Sequence, residues 1–301
     1  MNLRQLEVFR AIMRDGTITA AANALGISQP AVSKLLAHLE DQLGYPLFDR
    51  IGGRLMATME AQLIYPDVDR AFRQFDTLTA LTRDVGAAKI GLLRIGASLP
   101  IAYSLLPEAL ATFRRDQGDV KIHLHTLPKR EIADALELGD IDVAITLSPI
   151  LAPTVRFEIL ADIPVVAVFP DGDPLASADI VRPRDLIGRP LISYASHAEV
   201  IGPALDKAFE ADGEKRDVSI QIASSIGALP LVRRGLGIAL VDKLSVWQAD
   251  DVIACTFAPA VNMQLCVSVN RSRPEARFLA PFLVILRETL AVAKEFTVRT
   301  R

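Results

Sequence analysis

The chain has 301 residues, 50% apolar, 23% charged and 6% aromatic, enough for about two domains with a core in each. Its 33 Lys and Arg against 36 Asp and Glu leave a net charge of −3, which excludes a basic nucleic-acid coat or a polybasic membrane binder. Two cysteines, Cys255 and Cys266, make neither a disulfide framework nor a metal-site spacing, no apolar run reaches the ~18 residues of a membrane helix, and Met1 to Glu7 lacks the apolar stretch of a secretory signal, so a cytoplasmic protein without metal or cofactor is expected. Apolar residues recur at helical spacing in the first 90 residues: Leu6, Phe9, Ile12 and Met13, then Val32, Leu35, Leu36, Leu39 and Leu43. Residues 60–85 read as one long, polar helix that buries little alone and is expected to pair with its copy through Leu63, Phe72, Phe75 and Leu78. Pro66, near its start, is a point where it can kink.

From Leu92 onward short apolar runs alternate with helical stretches. Strands are expected at 92–97, 121–126, 142–146, 165–169, 191–194, 219–223, 238–241 and 264–270, and helices at 105–116, 129–137, 200–211, 226–234 and 274–296. Alternation of this kind means open α/β sheets, and so many strands in about 210 residues suit two small sublobes better than one sheet. The chain is expected to cross into the second sublobe near Ile163 and to return near Val261.

The densest signal lies between Ile18 and Leu39. Thr19 is placed as the N-cap of a short helix ending at Leu25, Gly26 where a tight turn needs positive φ, and Ser28 as the cap of a second helix with Pro30 in its first turn. Small Ala21 and Ala22 let the two helices cross closely, and Leu25, Ile27, Val32 and Leu35 supply a shared core, which is a helix-turn-helix pattern. Gln29, Ser33 and Lys34 then face outward near the end of the second helix that reaches base edges. The plainer alternative is a helical hairpin packed on another element. Residues 1–58 carry six basic and five acidic side chains, a net of +1, so phosphate contacts are few and an assembly of copies would be needed to multiply them. Next, Leu47 and Phe48 precede Gly52-Gly53, and Leu55 and Met56 follow: a β-ribbon, or wing, with Arg50 and Arg54 toward phosphates or a minor groove, unless it is only a solvated hairpin.

The stretches Leu3-Arg4-Gln5-Leu6-Glu7-Val8-Phe9, Thr19-Ala20-Ala21-Ala22, Ser28-Gln29-Pro30-Ala31-Val32-Ser33, Leu39-Glu40, Leu43-Gly44 and Leu47-Phe48-Asp49-Arg50 resemble those of LysR-type transcriptional regulators. The resemblance covers the whole chain. It implies an α/β chain with an N-terminal winged helix-turn-helix at 1–58, a long linker helix for dimerisation at 59–90, and at 91–301 a two-sublobe effector domain like a type 2 periplasmic binding protein. Sublobe 1 would hold about 91–163 and 262–301, and sublobe 2 about 164–261. Met59-Glu60-Ala61 departs from the family, which often has a Pro-Glu-Gly or Ala-Gly turn there, and leaves the first residue of the linker helix undefined. The implied partners are a double-stranded DNA operator contacted by Thr19, Gln29, Pro30, Ser33, Lys34, Arg50 and Arg54, a small-molecule effector, further copies in a dimer of dimers, and RNA polymerase when activating.

In open α/β domains ligands sit at the carboxyl ends of strands, and several strand ends here carry hydroxyls. They are Ser98 with Leu99 and Pro100, Thr146 with Ser148, Ser193 with Tyr194, and Ser224, with Leu127 and Pro128 after another strand. Hydroxyls and helix-terminal N–H groups suit a carboxylate, although each serine can equally be an N-cap. The resemblance favours Ser98 first, then Ser148, Ser193 and Ser224. Lys129 and Arg130 either add positive charge at the cleft mouth or are a solvated helix start. Asp242 either pairs with an ammonium group or caps the helix beginning near Leu244; the first would give the effector an amine beside its carboxylate, and the chain also resembles the branch of the family that senses amino acids or amino-acid-derived opines. The rival reading is a two-lobed α/β enzyme acting on a small carboxylate. It lacks a Gly-x-Ser-x-Gly elbow, Gly235-Leu236-Gly237 follows a helix rather than a strand, and His123 and His125 share a strand face with no third ligand in view.

Overall fold

The computed structural model describes residues 1–51, 54–86, 91–198, 200–249 and 252–295. Expected features that fall elsewhere, namely the Gly52-Gly53 turn, residues 87–90 and Phe296, lie outside the described residues, as do the side chains of Arg50, Arg54 and Leu78. The chain divides into two compact units, Met1–Gly86 and Ala87–Arg301.

The first unit opens with α1 (Leu3–Asp15), whose Asn2 side chain accepts from the Gln5 N–H while Gln5 answers at the Asn2 N–H. This capping box satisfies two otherwise orphaned donors. α2 (Ile18–Leu25) is capped by Thr17, whose hydroxyl oxygen accepts from the Ala20 N–H at 3.1 Å. Thr19, two residues on, is instead an exposed first-turn residue, because the chain is still extended at Thr17 and already helical at Ile18. Gly26 turns the chain at φ 64°, and α3 (Gln29–Leu43) starts after Ser28, whose hydroxyl accepts from Ala31 N–H. Val8, Phe9, Ile12, Ala21, Ala22, Val32, Leu36 and Leu39 form the core, with Leu25, Ile27, Leu35 and Leu43 packed at its edge.

β1 (Phe48–Ile51) and β2 (Arg54–Ala57) pair antiparallel, with Arg50 opposite Leu55 and Ile51 opposite Arg54. The Glu40 carboxylate accepts from the Leu47 N–H at 2.7 Å and the Phe48 N–H at 3.2 Å, so α3 holds the first strand of the ribbon. α4 (Met59–Gly86) begins after Thr58, whose hydroxyl oxygen accepts from the Ala61 N–H. That contact defines the start left open by the sequence, and Pro66 lies inside the helix. The first half of α4 is not a bare connector. Ala61 and Phe72 are buried, and Arg10 of α1 pairs with Asp69 at 2.7 Å and lies 5.3 Å over the Phe72 ring. Phe72 is only 6% exposed and is therefore spent on its own unit, whereas Leu63 (71%) and Phe75 (50%) stay outside.

In the second unit β3 (Leu92–Ala97) leads into the short α5 (Leu99–Tyr103) and then α6 (Leu105–Gln117), β4 (Lys121–Thr126), α7 (Lys129–Leu138) and β5 (Val143–Thr146). β6 (Val155–Phe169) is much longer than the expected 165–169. Then follow β7 (Ile180–Val181), β8 (Leu191–Tyr194), α8 (Ile201–Ala211), β9 (Ile220–Ile222), α9 (Ala228–Arg233), β10 (Ile238–Asp242), α10 (Lys243–Val246), β11 (Ile253–Phe257), β12 (Asn262–Asn270) and α11 (Leu279–Glu295). β6 is shared by two sheets. Up to Pro164 it pairs with β12 in the order β4-β3-β5-β12-β6, and from Val165 it pairs with β10 and β11 in the order β9-β8-β10-β6-β11-β7. The two strands that cross between lobes therefore do so side by side, with Gln264 opposite Asp162 and Asn262 opposite Pro164.

Each lobe has its own core. Lobe 1 packs α6 and α11 on its sheet, with Phe113 edge-on to Phe282 at 5.6 Å. Lobe 2 packs α8 on one face, with Phe209 stacked on Phe257, and α9 on the other. Fully buried rings of this kind contribute about 1.5–3 kcal/mol each. Leu244, from α10 of lobe 2, belongs to the core of lobe 1, so the lobes also meet behind the crossing strands.

Candidate functional site

Two surfaces carry the chemistry, one in each unit. On the first, α3 presents Gln29, Pro30 and Lys34 exposed and Ser33 half-buried at its N-terminal end, with no acidic residue in the first turn. The helix dipole and a lysine make this end positive, and the exposed Gln29 amide offers a donor and an acceptor side by side. Thr19 is exposed on α2, and Arg50 and Arg54 are neighbours in the backbone of the ribbon.

The second surface is the cleft between the lobes of the second unit. A cavity of about 400 Å³ is lined there by nine of the residues expected from the sequence, Ser98, Leu99, Pro100, Leu127, Pro128, Thr146, Ser148, Tyr194 and Ser224, and by Lys129. Thr126, Leu147, Ala198, Ile201, Ala223 and Met263 complete it and were not expected. Ser98 follows β3 of lobe 1 and Ser224 follows β9 of lobe 2, so two serines face one space from opposite lobes. Both stand at the start of a helical turn in extended conformation, yet neither hydroxyl caps it. Both Oγ atoms are buried and have no hydrogen-bond partner among the described residues. Of the two readings of these serines, capping is thus removed by geometry, and two residues with unsatisfied hydroxyls line the same cavity.

The other hydroxyls are already engaged. Thr146 donates to the Ser148 carbonyl at 2.7 Å, which shapes the turn after β5. Tyr194 lines the cavity with its ring while its hydroxyl is hydrogen-bonded to Ser225. Burial, and then the nearby Asp242, push the Tyr194 hydroxyl above the ordinary phenol range. Two expected residues are not in the cleft. Ser193, next to Tyr194 on β8, is fully buried and accepts from Arg216 Nη1 at 3.0 Å. Successive strand residues point to opposite faces, and the Ser193 side chain is turned to Arg216 while Tyr194 lines the cavity. Arg216 also donates to Asp206 at 2.7 Å and to the Tyr194 carbonyl, tying β8 to α8.

Asp242 is fully buried and caps α10. It accepts from the Ser245 N–H at 2.9 Å, the Ser245 hydroxyl at 2.8 Å and the Ser225 hydroxyl. Burial raises its carboxyl above the usual range, against the hydrogen bonds from Ser225 and Ser245 that hold it down. The capping alternative is the observed one, and Asp242 does not reach the cavity. Arg130 is exposed and outside the cavity wall.

A second compartment of about 340 Å³ adjoins the first, sharing Leu147, Ser148, Ile201 and Met263 with it. Its polar wall is Asp162, Asn262 and Gln264, from the crossing strands. The sequence located the crossings but carried no sign that they would also line a cavity. Gly202 brings α8 against the loop before it, since a Cβ there would meet the Ala195 carbonyl oxygen at 2.1 Å, and so sets the start of α8 on the wall common to both compartments. Among the described residues no three His, Cys, Asp or Glu side chains gather as a metal site, and no helix is long and apolar enough to cross a membrane.

Comparison with known proteins joins the two surfaces. Residues 3–62 match the family described as "Bacterial regulatory helix-turn-helix protein, lysR family", and residues 86–291 match "LysR substrate binding domain". Regulatory protein NocR of Agrobacterium fabrum (strain C58) is 29% identical over 289 residues, spanning 95% of this chain and 96% of that protein. Octopine catabolism/uptake operon regulatory protein OccR of Rhizobium meliloti is 33% identical over 261 residues, 84% of each. The crystal structure of full-length CbnR with its target DNA shares the fold, with a TM-score of 0.74 at 20% identity, over 97% of this chain and all (100%) of that one.

Proposed function

This chain belongs to the LysR-type family of bacterial transcriptional regulators, and we propose that its operator binding or activation is controlled by a small carboxylate-bearing metabolite of the amino-acid or opine kind. It is a DNA-binding regulator and not an enzyme. The observation that carries the finer reading is that Ser98 and Ser224, which line one cavity from opposite lobes, each hold a hydroxyl without a hydrogen-bond partner among the described residues. A carboxylate accepts hydrogen bonds at both oxygens, so it can satisfy the two together. The opine class is supported by OccR, whose name ties it to octopine, a conjugate of an amino acid with a keto acid.

In the same reading Gln29, Ser33 and Lys34 contact bases, and Thr19, Pro30, Arg50 and Arg54 contact the backbone of a duplex operator. α4 pairs with its copy, effector domains pair in turn to give a dimer of dimers, and an activating form contacts RNA polymerase. The protein works beside the bacterial chromosome, in the cytoplasm. A thermal-shift screen of the full chain against amino acids, opines and small carboxylates tests the effector class. A ligand at ~100 times its Kd stabilises the native state by ~2.7 kcal/mol, and a genuine effector then changes the mobility or affinity of an operator complex in a gel shift. A screen in which no carboxylate raises the midpoint, or in which the binder leaves operator complexes unchanged, overturns the proposal.

A further inference from the structure

We propose that the cleft recognises its effector by two opposite charges, and that Asp162 receives a cationic group, an ammonium or a guanidinium, in the compartment next to the one that holds the carboxylate. This rests on the reading of the cleft as the effector site. The sequence offered Asp242 as the partner of an amine, and the structure removes it, since that carboxyl is buried and committed to α10. Asp162 stands in its place. It lies on the wall of the 340 Å³ compartment, exposed to it, directly opposite Gln264 across the β6–β12 ladder.

Directly opposed residues of a ladder put their side chains on the same face, so the carboxylate and the amide of Gln264 stand side by side. Neither side chain has a hydrogen-bond or ion-pair partner among the described residues. Asn262 adds a third polar side chain, and no Lys or Arg among the described residues lines this compartment. The lysine of the cleft, Lys129, lines the other one, with Ser98 and Ser224. The two adjoining compartments are therefore lined by serines and a lysine on one side and by an acid with two amides on the other. A guanidinium or ammonium can donate to the Asp162 carboxylate and the Gln264 carbonyl oxygen at once. The position matters as well. Asp162 and Gln264 sit on the strands common to both lobes, so this end anchors the ligand at the crossing while the carboxylate bridges Ser98 and Ser224. The ligand class is an amino-acid conjugate with a carboxylate at one end and a cation on the side chain.

The test is calorimetry on the full chain with three conjugates of pyruvate that share the N-(1-carboxyethyl) amino-acid head, made from arginine, lysine and norleucine. The wild type is expected to bind the two cationic conjugates roughly tenfold or more tightly than the neutral one. Asp162→Asn brings the three to near parity without weakening the norleucine conjugate, Asp162→Glu keeps the preference, and Ser98→Ala weakens all three alike. Equal affinities in the wild type, or a preference that survives Asp162→Asn, overturns the cation subsite while the Ser98 effect leaves the carboxylate reading standing. A Ser98→Ala protein that binds all three normally overturns the carboxylate reading whatever Asp162 does. No heat with any conjugate at millimolar concentration overturns the ligand class itself.

Discussion

Replacing Ser98 or Ser224 by alanine has opposite expected effects on the empty and the filled protein. Each hydroxyl is buried without a partner among the described residues, and an unmet buried hydroxyl costs ~1–3 kcal/mol. Alanine removes that cost and gives up few contacts, so the unliganded protein is expected to gain about 0.5–1 kcal/mol. In a unit of this size that raises the midpoint by about 1–4 °C. The same change removes a hydrogen bond to a carboxylate, worth ~1.5–3 kcal/mol, and weakens the effector roughly 10- to 100-fold. If one carboxylate spans both serines, the double variant shows a coupling of ~0.5–3 kcal/mol rather than the sum of the single losses. Scanning calorimetry on the unliganded chain reads the first effect, and titration calorimetry reads the others. Operator binding without effector should stay as it is, because Ser98 and the helix-turn-helix belong to different units. A lower midpoint in unliganded Ser98→Ala would mean that the hydroxyl has a structural partner. Unchanged effector affinity would place the ligand elsewhere, and either result refutes the reasoning.

Gln29→Ala should cost ~1–3 kcal/mol at the best operator and flatten the ranking of operator variants in a competition gel shift, and an unaltered ranking would remove α3 from base contact. Phe75→Glu, on the exposed side of α4, should shift the assembly toward smaller species in light scattering at micromolar concentration, whereas Phe72→Ala should lower the melting midpoint, since that ring is packed under Arg10. Asp242 provides the pH prediction. Its carboxyl is raised in the folded state, so between the ordinary carboxylate pKa and its own the folded chain binds more protons than the unfolded one. Its contribution to stability is accordingly full below the ordinary value and falls as pH rises through the folded pKa. Asp242→Asn keeps a neutral side chain of the same shape, and its midpoint should fall less than the wild type's over that window, while parallel curves would mean the carboxyl is ionised throughout.

The helix-turn-helix was legible because every local signal agreed: a turn glycine, a serine cap, a proline in the first turn and apolar residues at one spacing. Even there the cap expected at Thr19 is Thr17, since either residue type is a good cap and only the backbone says which one is extended. The first half of β6 was hidden because Arg156, Phe157, Glu158 and Ile159 are all exposed in succession, which erases the period of two. β7 is two residues long and offers no period at all. Nine cavity residues were legible because small hydroxyl and proline residues cluster after strands for a general reason, the free N–H groups of the helices that follow. Ser193 and Asp242 sit at similar strand ends, but which face a residue takes and which helix it caps are set by register, and register is written in the pairing of distant strands. The burial of Phe72 has the same origin, in Arg10 on a helix some sixty positions earlier.

The two serines also bound what an effector can do. Moving an equilibrium between two lobe arrangements from 1:99 to 99:1 takes ~5.5 kcal/mol of differential affinity. One hydroxyl–carboxylate bond supplies ~1.5–3 kcal/mol, so a single serine cannot drive the change, while two made together only when the lobes approach can nearly do so. Ser98 and Ser224 qualify because they come from different lobes and line one cavity. In the proposed reading, contacts on the crossing strands would add affinity in either arrangement, because Asp162 and Gln264 are paired within one ladder, and uniform binding shifts nothing. In that reading, selectivity and switching would fall on different residues. A ligand that satisfies the crossing strands but lacks a carboxylate for the serines would bind and leave the regulator in its resting state. Losing either serine should cap the response at part of its range, even when the ligand is saturating.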